Sequence, residues 1–211
     1  MSSPQNAPAT YLEETPAMRL HRRSYNTYSA RLKARERLAS RNHAWNASLV
    51  ALTTSATIAS VGMLTDPQMY GDNGDTLLVC VSILTLVASL VTSGLDYSGR
   101  SRDMFVNYRR VQRLSVKAEA AETDTGIDVS ELESEYDALM DESENHTAGD
   151  HYRAERQQLK DKKRKNPNAA VEVNTWPGKA IVLENLLTYA PYVSLGLAAI
   201  LTYPLVNSFF Q

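Results

Sequence analysis

Three stretches of this chain contain no Asp, Glu, Lys or Arg: Ala44 to Thr65, Thr76 to Leu95 and Asn185 to Gln211. Each is long enough to cross a bilayer, because a spanning helix needs roughly 20 mostly apolar residues. All 24 acidic and 22 basic side chains are crowded into the remainder. A chain divided in this way averages a membrane part with a very polar part, which excludes a simple soluble enzyme built on one core. The lone cysteine, Cys80, lies inside the second stretch. It excludes an internal disulfide and a thiolate metal cluster.

The flanks predict an orientation. Eight basic residues lie between Arg19 and Trp45 against one acid, Glu36, and the segment after the second stretch carries Arg100, Arg102, Arg109, Arg110, Arg113 and Lys117 against Asp103. The connecting loop, Asp66 to Asp75, has three acids and no base. By the positive-inside rule the flanks are cytoplasmic and the loop is outside. The N-terminal residues lack the apolar core and small-residue cleavage site of a signal peptide, so the first span is expected to be an uncleaved anchor. A third span would put Gln211 on the outer side.

The predicted fold is an all-α membrane protein, a transmembrane helical hairpin with long cytoplasmic helical extensions and a third hydrophobic helix at the C-terminus. Residues 1–17 read as a disordered leader. Residues 18–120 hold a basic helix, the hairpin (spans at about 44–65 and 76–95) and a second basic helix. Tyr25, Tyr28, Leu32 and Leu38 suggest the apolar face of the first extension, and Met104, Phe105, Tyr108, Val111 and Leu114 that of the second, which continues the second span. The two extensions pack most economically as an antiparallel pair. Residues 121–182 form a charged cytoplasmic segment: twelve acids and no base from Glu119 to Asp150, then seven bases and two acids from Arg153 to Lys165. Opposite charges favour the acidic block folding back on the basic extensions. A loop with Trp176 near the interface leads to residues 183–211, the third hydrophobic helix, in which Pro191 and Pro204 favour a bend and leave a full span or a partly re-entrant segment open.

No catalytic signature is present: there is no Gly-rich phosphate loop, no GxSxG, no HExxH and no Cys pair. No catalytic residue, cofactor-binding residue or metal ligand is therefore assigned, no cofactor is expected and the chain is not read as an enzyme. His146 and His151 with Asp150 are not read as a metal cluster, since a five-residue spacing does not put two imidazoles on one helical face. Direct nucleic-acid binding is not expected either.

The informative residues lie within the spans. Asn46, Thr53, Thr57 and Ser60 fall within one arc of the first helix, and Ser82, Thr85, Ser89, Thr92 and Ser93 on one side of the second, with Asp96 at its end. Thr53, Thr57, Ser60, Ser82, Thr85, Ser89, Thr92 and Asp96 are candidate pore-lining residues; Leu52 lies off the arc. Membrane hydroxyls also bond backbone carbonyls and join helices, so lining and glue both remain open. Ala47, Ala51, Ser55 and Ala59 form a small-residue stripe and a candidate helix interface, the expected contact of a homo-oligomer.

The segment Tyr25 to Leu49 (YNTYSARLKARERLASRNHAWNASL), an Arg-rich helix running into a two-helix membrane hairpin, resembles the SLATT domain, a membrane effector module of bacterial conflict systems. Tyr136 to His146 (YDALMDESENH) is similar to the Glu-Asn-His element of the SLATT subfamily linked to reverse transcriptases. The resemblance implies an antiviral effector of the inner membrane that oligomerises and permeabilises the bilayer when a reverse transcriptase or other signal-producing partner is triggered. A second reading is a membrane anchor that scaffolds such an enzyme without forming a pore. The resemblance assigns no chemical task to Glu144, Asn145 and His146. A structural knot or a switch are the two roles considered, and the surrounding carboxylates are expected to favour the charged form of His146.

Overall fold

The computed structural model describes residues 14–124, 126–167 and 178–209. The leader up to residue 13 and the interfacial Trp176 lie outside the described residues. Six helices follow one another: α1 (Pro16–Thr65), α2 (Gly74–Leu95), α3 (Tyr97–Ala120), α4 (Val129–Asp141), α5 (Ala148–Lys165) and α6 (Gly178–Phe209), and no strand occurs among the described residues. The fold is all-α, as the apolar runs and helical spacing predict.

Helix α1 is a single helix of 50 residues, about 75 Å long at 1.5 Å per residue. It starts where Thr15 accepts a hydrogen bond from the Met18 amide at 3.2 Å and Pro16 fits the first turn without losing a bond. Neither glycine nor proline interrupts it before Gly62. Its buried face is Ala17, Leu20, Ser24, Thr27, Arg31, Ala34, Leu38 and Arg41, then Ser48, Leu52, Ser55, Ala59 and Gly62. Within each half these positions recur by alternating steps of three and four, the heptad seam of a coiled coil, with seven residues from Arg41 to Ser48 and Ala30 buried beside Arg31. The seam differs from the face suggested by the large apolar residues: Tyr25 is exposed and Tyr28 and Leu32 are half-buried, while serine, threonine, alanine and arginine positions are inside.

The second apolar helix does not run straight into the second extension. Asp96 adopts the left-handed conformation (φ 39°), ending α2, and its side chain caps α3 by accepting from the Gly99 amide at 3.0 Å. A β-carbon at residue 99 would sit 2.2 Å from the Asp96 carboxylate, so glycine makes room for the cap. Beyond this break α3 lies along the polar half of α1, burying Met104, Val111, Leu114 and Ala118 while Phe105 stays exposed. Helix α4 closes this part with Leu132, Tyr136 and Leu139 against Leu20, Val111 and Leu114.

The apolar half is built differently. Leu52 and Ala59 of α1, Leu78 and Val81 of α2, and Ala198 and Leu201 of α6 form one cluster. Helix α6 runs in the same direction as α1: Arg41 bonds Thr188, Ser48 bonds Ser194 and the Pro191 carbonyl, and Tyr70 donates to the Leu201 carbonyl. It is one helix through both prolines. The most apolar windows of α1 and of the α2–α3 segment are only 28% and 17% buried. A soluble core helix would be covered, whereas Val79, Ile83, Leu84, Leu86, Val87 and Leu90 of α2 are exposed, as lipid-facing side chains are.

Candidate functional site

The hydroxyls of the two spans meet. Thr53, Thr57 and Ser60 of α1 and Ser82, Thr85 and Ser89 of α2 line one groove of about 390 Å³, with Ala56 and Leu86. Antiparallel pairing of the helices brings Thr53 level with Ser89 and Ser60 level with Ser82. A second groove of about 590 Å³ continues from Ser60 and Ser82 toward the loop, where it is lined by Leu64 and Asp75. Thr53, Thr57 and Ser60 each donate to the carbonyl four residues back, at 2.8, 2.9 and 2.9 Å, and Ser82 and Thr85 do so at 2.8 Å. With those protons committed to the backbone, the oxygens present lone pairs to the groove. Thr92 is half-buried and does not line this groove, and Asp96 is engaged as the α3 cap.

The small stripe is divided. Ser55 and Ala59 are buried, Ala51 is half-buried and Ala47 is exposed. The actual seam replaces the strict four-residue stripe with Ser48, Leu52, Ser55, Ala59 and Gly62, and in the chain itself it faces α2 and α6. Leu52, expected off the arc, is 3% exposed within this seam. An apolar residue next to small ones fills the space between three helices, which a one-helix projection does not reveal.

In the polar half, five ion pairs among the described residues join the acidic and basic blocks. Asp137 meets Arg23 at 3.0 Å, Glu135 meets Lys117 at 2.9 Å, Glu142 meets Arg110, Glu144 meets Arg100 at 2.8 Å, and Asp150 meets Arg37 at 2.9 Å. Four of the five are exposed and contribute little individually. The fifth is different. Asp150 is fully buried and accepts from Arg37 Nε and Nη2 at 2.9 Å each, from the Thr147 amide at 3.1 Å and hydroxyl at 2.9 Å, and from Arg153 at 3.3 Å. Thr147 and Asp150 form the capping box that starts α5. Burial alone would raise the Asp150 carboxyl; the Arg37 bonds and charge, with those of Thr147, outweigh it and hold it below the usual carboxylate range.

Near this clamp the chain buries another arginine more deeply. Arg31, 1% exposed, donates to the Asn107 side-chain oxygen, to the Leu139 carbonyl at 3.1 Å and to the Met140 sulfur, while its Nε has no partner. Asn107 donates to the same Leu139 carbonyl at 2.7 Å. The end of α4 is thereby tied to both α1 and α3. Thr27 and Tyr136 add a hydroxyl pair at 2.8 Å, with Arg23 stacked 4.3 Å above the Tyr136 ring.

The Glu144, Asn145 and His146 element spans the link between α4 and α5. Glu144 holds Arg100, Asn145 is exposed, and His146 is half-buried with its Nδ1 unpartnered. The expected charged His146 is overturned: burial, then the charges of Arg31 and His151, push its pKa down, against a smaller upward pull from Asp150. The nearby carboxylates face arginines instead of the ring. His146 also precedes α5, so the helical-spacing argument does not separate it from His151, and the two rings lie 6.2 Å apart. No group of three or more metal-ligating side chains occurs among the described residues.

Arg31, Asn107 and Asp150 are the residues that sequence reasoning missed. Readable signals existed for two of them: Arg31 falls on the three-four spacing of the α1 seam, and Thr147 with Asp150 carries a capping-box spacing. Nothing local distinguishes Asn107.

Residues 13–202 match the family model of the SMODS and SLOG-associating 2TM effector domain family 5. No curated protein and no solved structure gives a match. The matched region contains the whole hairpin, both extensions, the clamp and most of α6. The chain therefore belongs to the SMODS and SLOG-associating two-transmembrane effector (SLATT) domain family 5, an effector module of bacterial conflict systems.

Proposed function

We propose that this chain is a pore-forming effector of the inner membrane, with its N-terminus cytoplasmic, that oligomerises and permeabilises the bilayer when a partner signals infection. The observation that carries this reading is the convergence of Thr53, Thr57, Ser60, Ser82, Thr85 and Ser89 on one groove at the surface of the spans. The exposed hydroxyls of Thr53, Thr57, Ser60, Ser82 and Ser89 gain nothing from lipid tails, whereas copies arranged around an axis would turn such grooves toward water. Because Thr53, Thr57, Ser60, Ser82 and Thr85 donate their hydroxyl protons to backbone carbonyls, the lining offers acceptor oxygens and favours cations. The trigger acts on the polar half, where α4 and α5 clamp the extensions that lead into both spans. A signal-producing partner is the source of that trigger, and the likeness of Tyr136 to His146 to the reverse-transcriptase-linked element makes such an enzyme the first candidate.

The purified chain in lipid vesicles, and the chain expressed alone in cells, supply the test through a potential-sensitive dye. Depolarisation without any partner enzyme removes the scaffold reading. Thr57→Lys and Ser89→Lys are expected to insert normally and to abolish cation flux or alter its selectivity. Intact membranes under activating conditions, together with retention of a partner enzyme on the membrane, would replace the pore with the scaffold.

A further inference from the structure

At the boundary between the polar and apolar halves, a groove of about 380 Å³ lies between α1 and α3, which are joined there by Ser101 donating to the Arg35 carbonyl at 3.3 Å. It is lined by Arg35, Ala39, Asn42 and His43 from α1 and by Ser98, Ser101, Arg102 and Phe105 from α3. At a liquid share of about 30 Å³ per water, that volume holds roughly a dozen waters. The position is set by sequence. The uncharged run of α1 begins at Ala44, the next residue after His43, and that of α2 ends at Leu95, three residues before Ser98. A groove at this level lies at headgroup depth when both spans are in a bilayer.

Its chemistry is one-sided. Arg35 is half-buried and Arg102 exposed, and neither guanidinium forms an ion pair among the described residues. The contact recorded for Arg35 is the face of Phe105, 5.6 Å away. Glu36, the acid next to Arg35, is held by Lys33 at 2.9 Å, and Asp96 is occupied with the Gly99 amide. Arg23, Arg37, Arg100, Arg110 and Lys117 have carboxylate partners, whereas Arg35 and Arg102 share a groove whose lining holds no acid. Asn42 and Ser98 add neutral donors, and Ser98 stands in the first turn of α3, whose positive end favours anions. Two unpaired guanidiniums with neutral donors, at interfacial depth between helices that enter lipid, match the phosphate of an anionic phospholipid.

We propose that this groove binds the headgroup of an anionic phospholipid, with Arg35 and Arg102 on the phosphate and Asn42 and Ser98 on its polar substituents. The lipid then bridges the two extensions where they enter the membrane. The site requires only that the two spans sit in a bilayer and is independent of whether assembled spans conduct.

The test uses the full chain in a neutral detergent, titrated separately with phosphatidylglycerol, phosphatidylcholine and inorganic phosphate. Bound lipid is counted by native mass spectrometry, and thermal unfolding is followed in parallel. Phosphatidylglycerol is expected to remain bound and raise the unfolding midpoint by several degrees, with phosphatidylcholine at least tenfold weaker. Arg102→Gln, a change at an exposed side chain, and Arg35→Gln should each weaken phosphatidylglycerol binding fivefold or more, while Arg109→Gln, on exposed α3 surface outside the groove, should not. Equal binding of the two lipids, or equal loss in Arg109→Gln and Arg102→Gln, would overturn the proposal as nonspecific adsorption. Tight binding of inorganic phosphate that phosphatidylglycerol does not displace would overturn it in favour of a soluble phosphate ligand.

Discussion

Helix α1 carries one seam through two environments, and its two halves solve the packing problem by different means. From Ala17 to Arg41 it meets α3, α4 and α5 with an interior that contains Ser24, Thr27, Arg31 and Arg41 beside Leu20 and Leu38. From Ser48 to Gly62 it meets α2 and α6 with Ser48, Leu52, Ser55, Ala59 and Gly62. In the polar half, burial of apolar surface such as Leu114, Leu132 and Tyr136 drives association, and the buried cations are kept only because hydrogen-bond partners come with them. In the apolar half lipid is as apolar as the side chains, so close backbone approach over small residues and a few interhelical hydrogen bonds must suffice. The lesson is that one three-four spacing can serve both media while the consequences of a substitution differ sharply between them.

The largest expected effect is in the polar half. Asp150→Ala removes the buried carboxylate that Arg37 binds through two nitrogens and dismantles the α5 capping box. A loss of roughly 3–5 kcal/mol is expected for breaking such a pair. Denaturant unfolding of the soluble-facing part, followed by a probe on α5, checks it. A loss below about 1 kcal/mol would place this pair with the exposed ones and remove the contrast between buried and surface charge.

In the apolar half, the comparison of lining with lipid-facing positions comes next. Val50→Lys, at a side chain 65% exposed, should impair insertion by roughly 2.5–3.5 kcal/mol on insertion scales, and Thr57→Lys should not if its groove is hydrated. Leu52→Lys cannot serve as the lipid-facing control, because Leu52 is in the seam. Equal insertion of Val50→Lys and Thr57→Lys in a glycosylation-reporter assay would mean that the groove holds no water. Within the seam, Ala59→Leu should cost roughly 1–3 kcal/mol through overpacking, and the half-buried Ala51→Leu less. Crosslinking between cysteines placed on α1 and α6 reports whether α6 has been displaced.

A smaller effect concerns pH. His146 is held below its ordinary value of 6.5, so the folded chain favours the neutral ring while the unfolded chain still takes up a proton near 6.5. That contribution to stability is complete above about 6.5 and is lost as pH falls through the lower folded value. Asp150, held below the carboxylate range, loses its contribution only under more acidic conditions. Acidification from about pH 7.5 to 5.5 should therefore weaken the link between α4 and α5 near Arg31 and His151, and His146→Gln should remove that part of the dependence. Hydrogen exchange of residues 142–150 checks it. The smallest expected change is Gly99→Ala, which displaces the Asp96 cap and should cost about 1 kcal/mol at the start of α3.

The helical class, the hairpin and the attraction between acidic and basic blocks were legible in the sequence because each rests on a property summed over many residues. Twenty uncharged residues specify a spanning helix whatever surrounds them, and twelve acids facing a run of arginines specify attraction without specifying pairs. The hydroxyl arc was legible for a related reason: Thr53, Thr57 and Ser60 share a face through helical geometry alone. What the sequence concealed was which face is inside. The seam is written in serine, threonine, alanine and arginine, so the tyrosines of α1 suggested another face, and Leu52 was placed only by its position off the hydroxyl arc. Only the tertiary structure decided that Asp150 selects Arg37 from many arginines, that Arg31 is buried on Asn107 and Leu139, and that burial and the Arg31 charge outweigh Asp150 at His146. Those outcomes depend on which groups are desolvated together, and desolvation belongs to the packed helices, whereas length, charge and period belong to the chain.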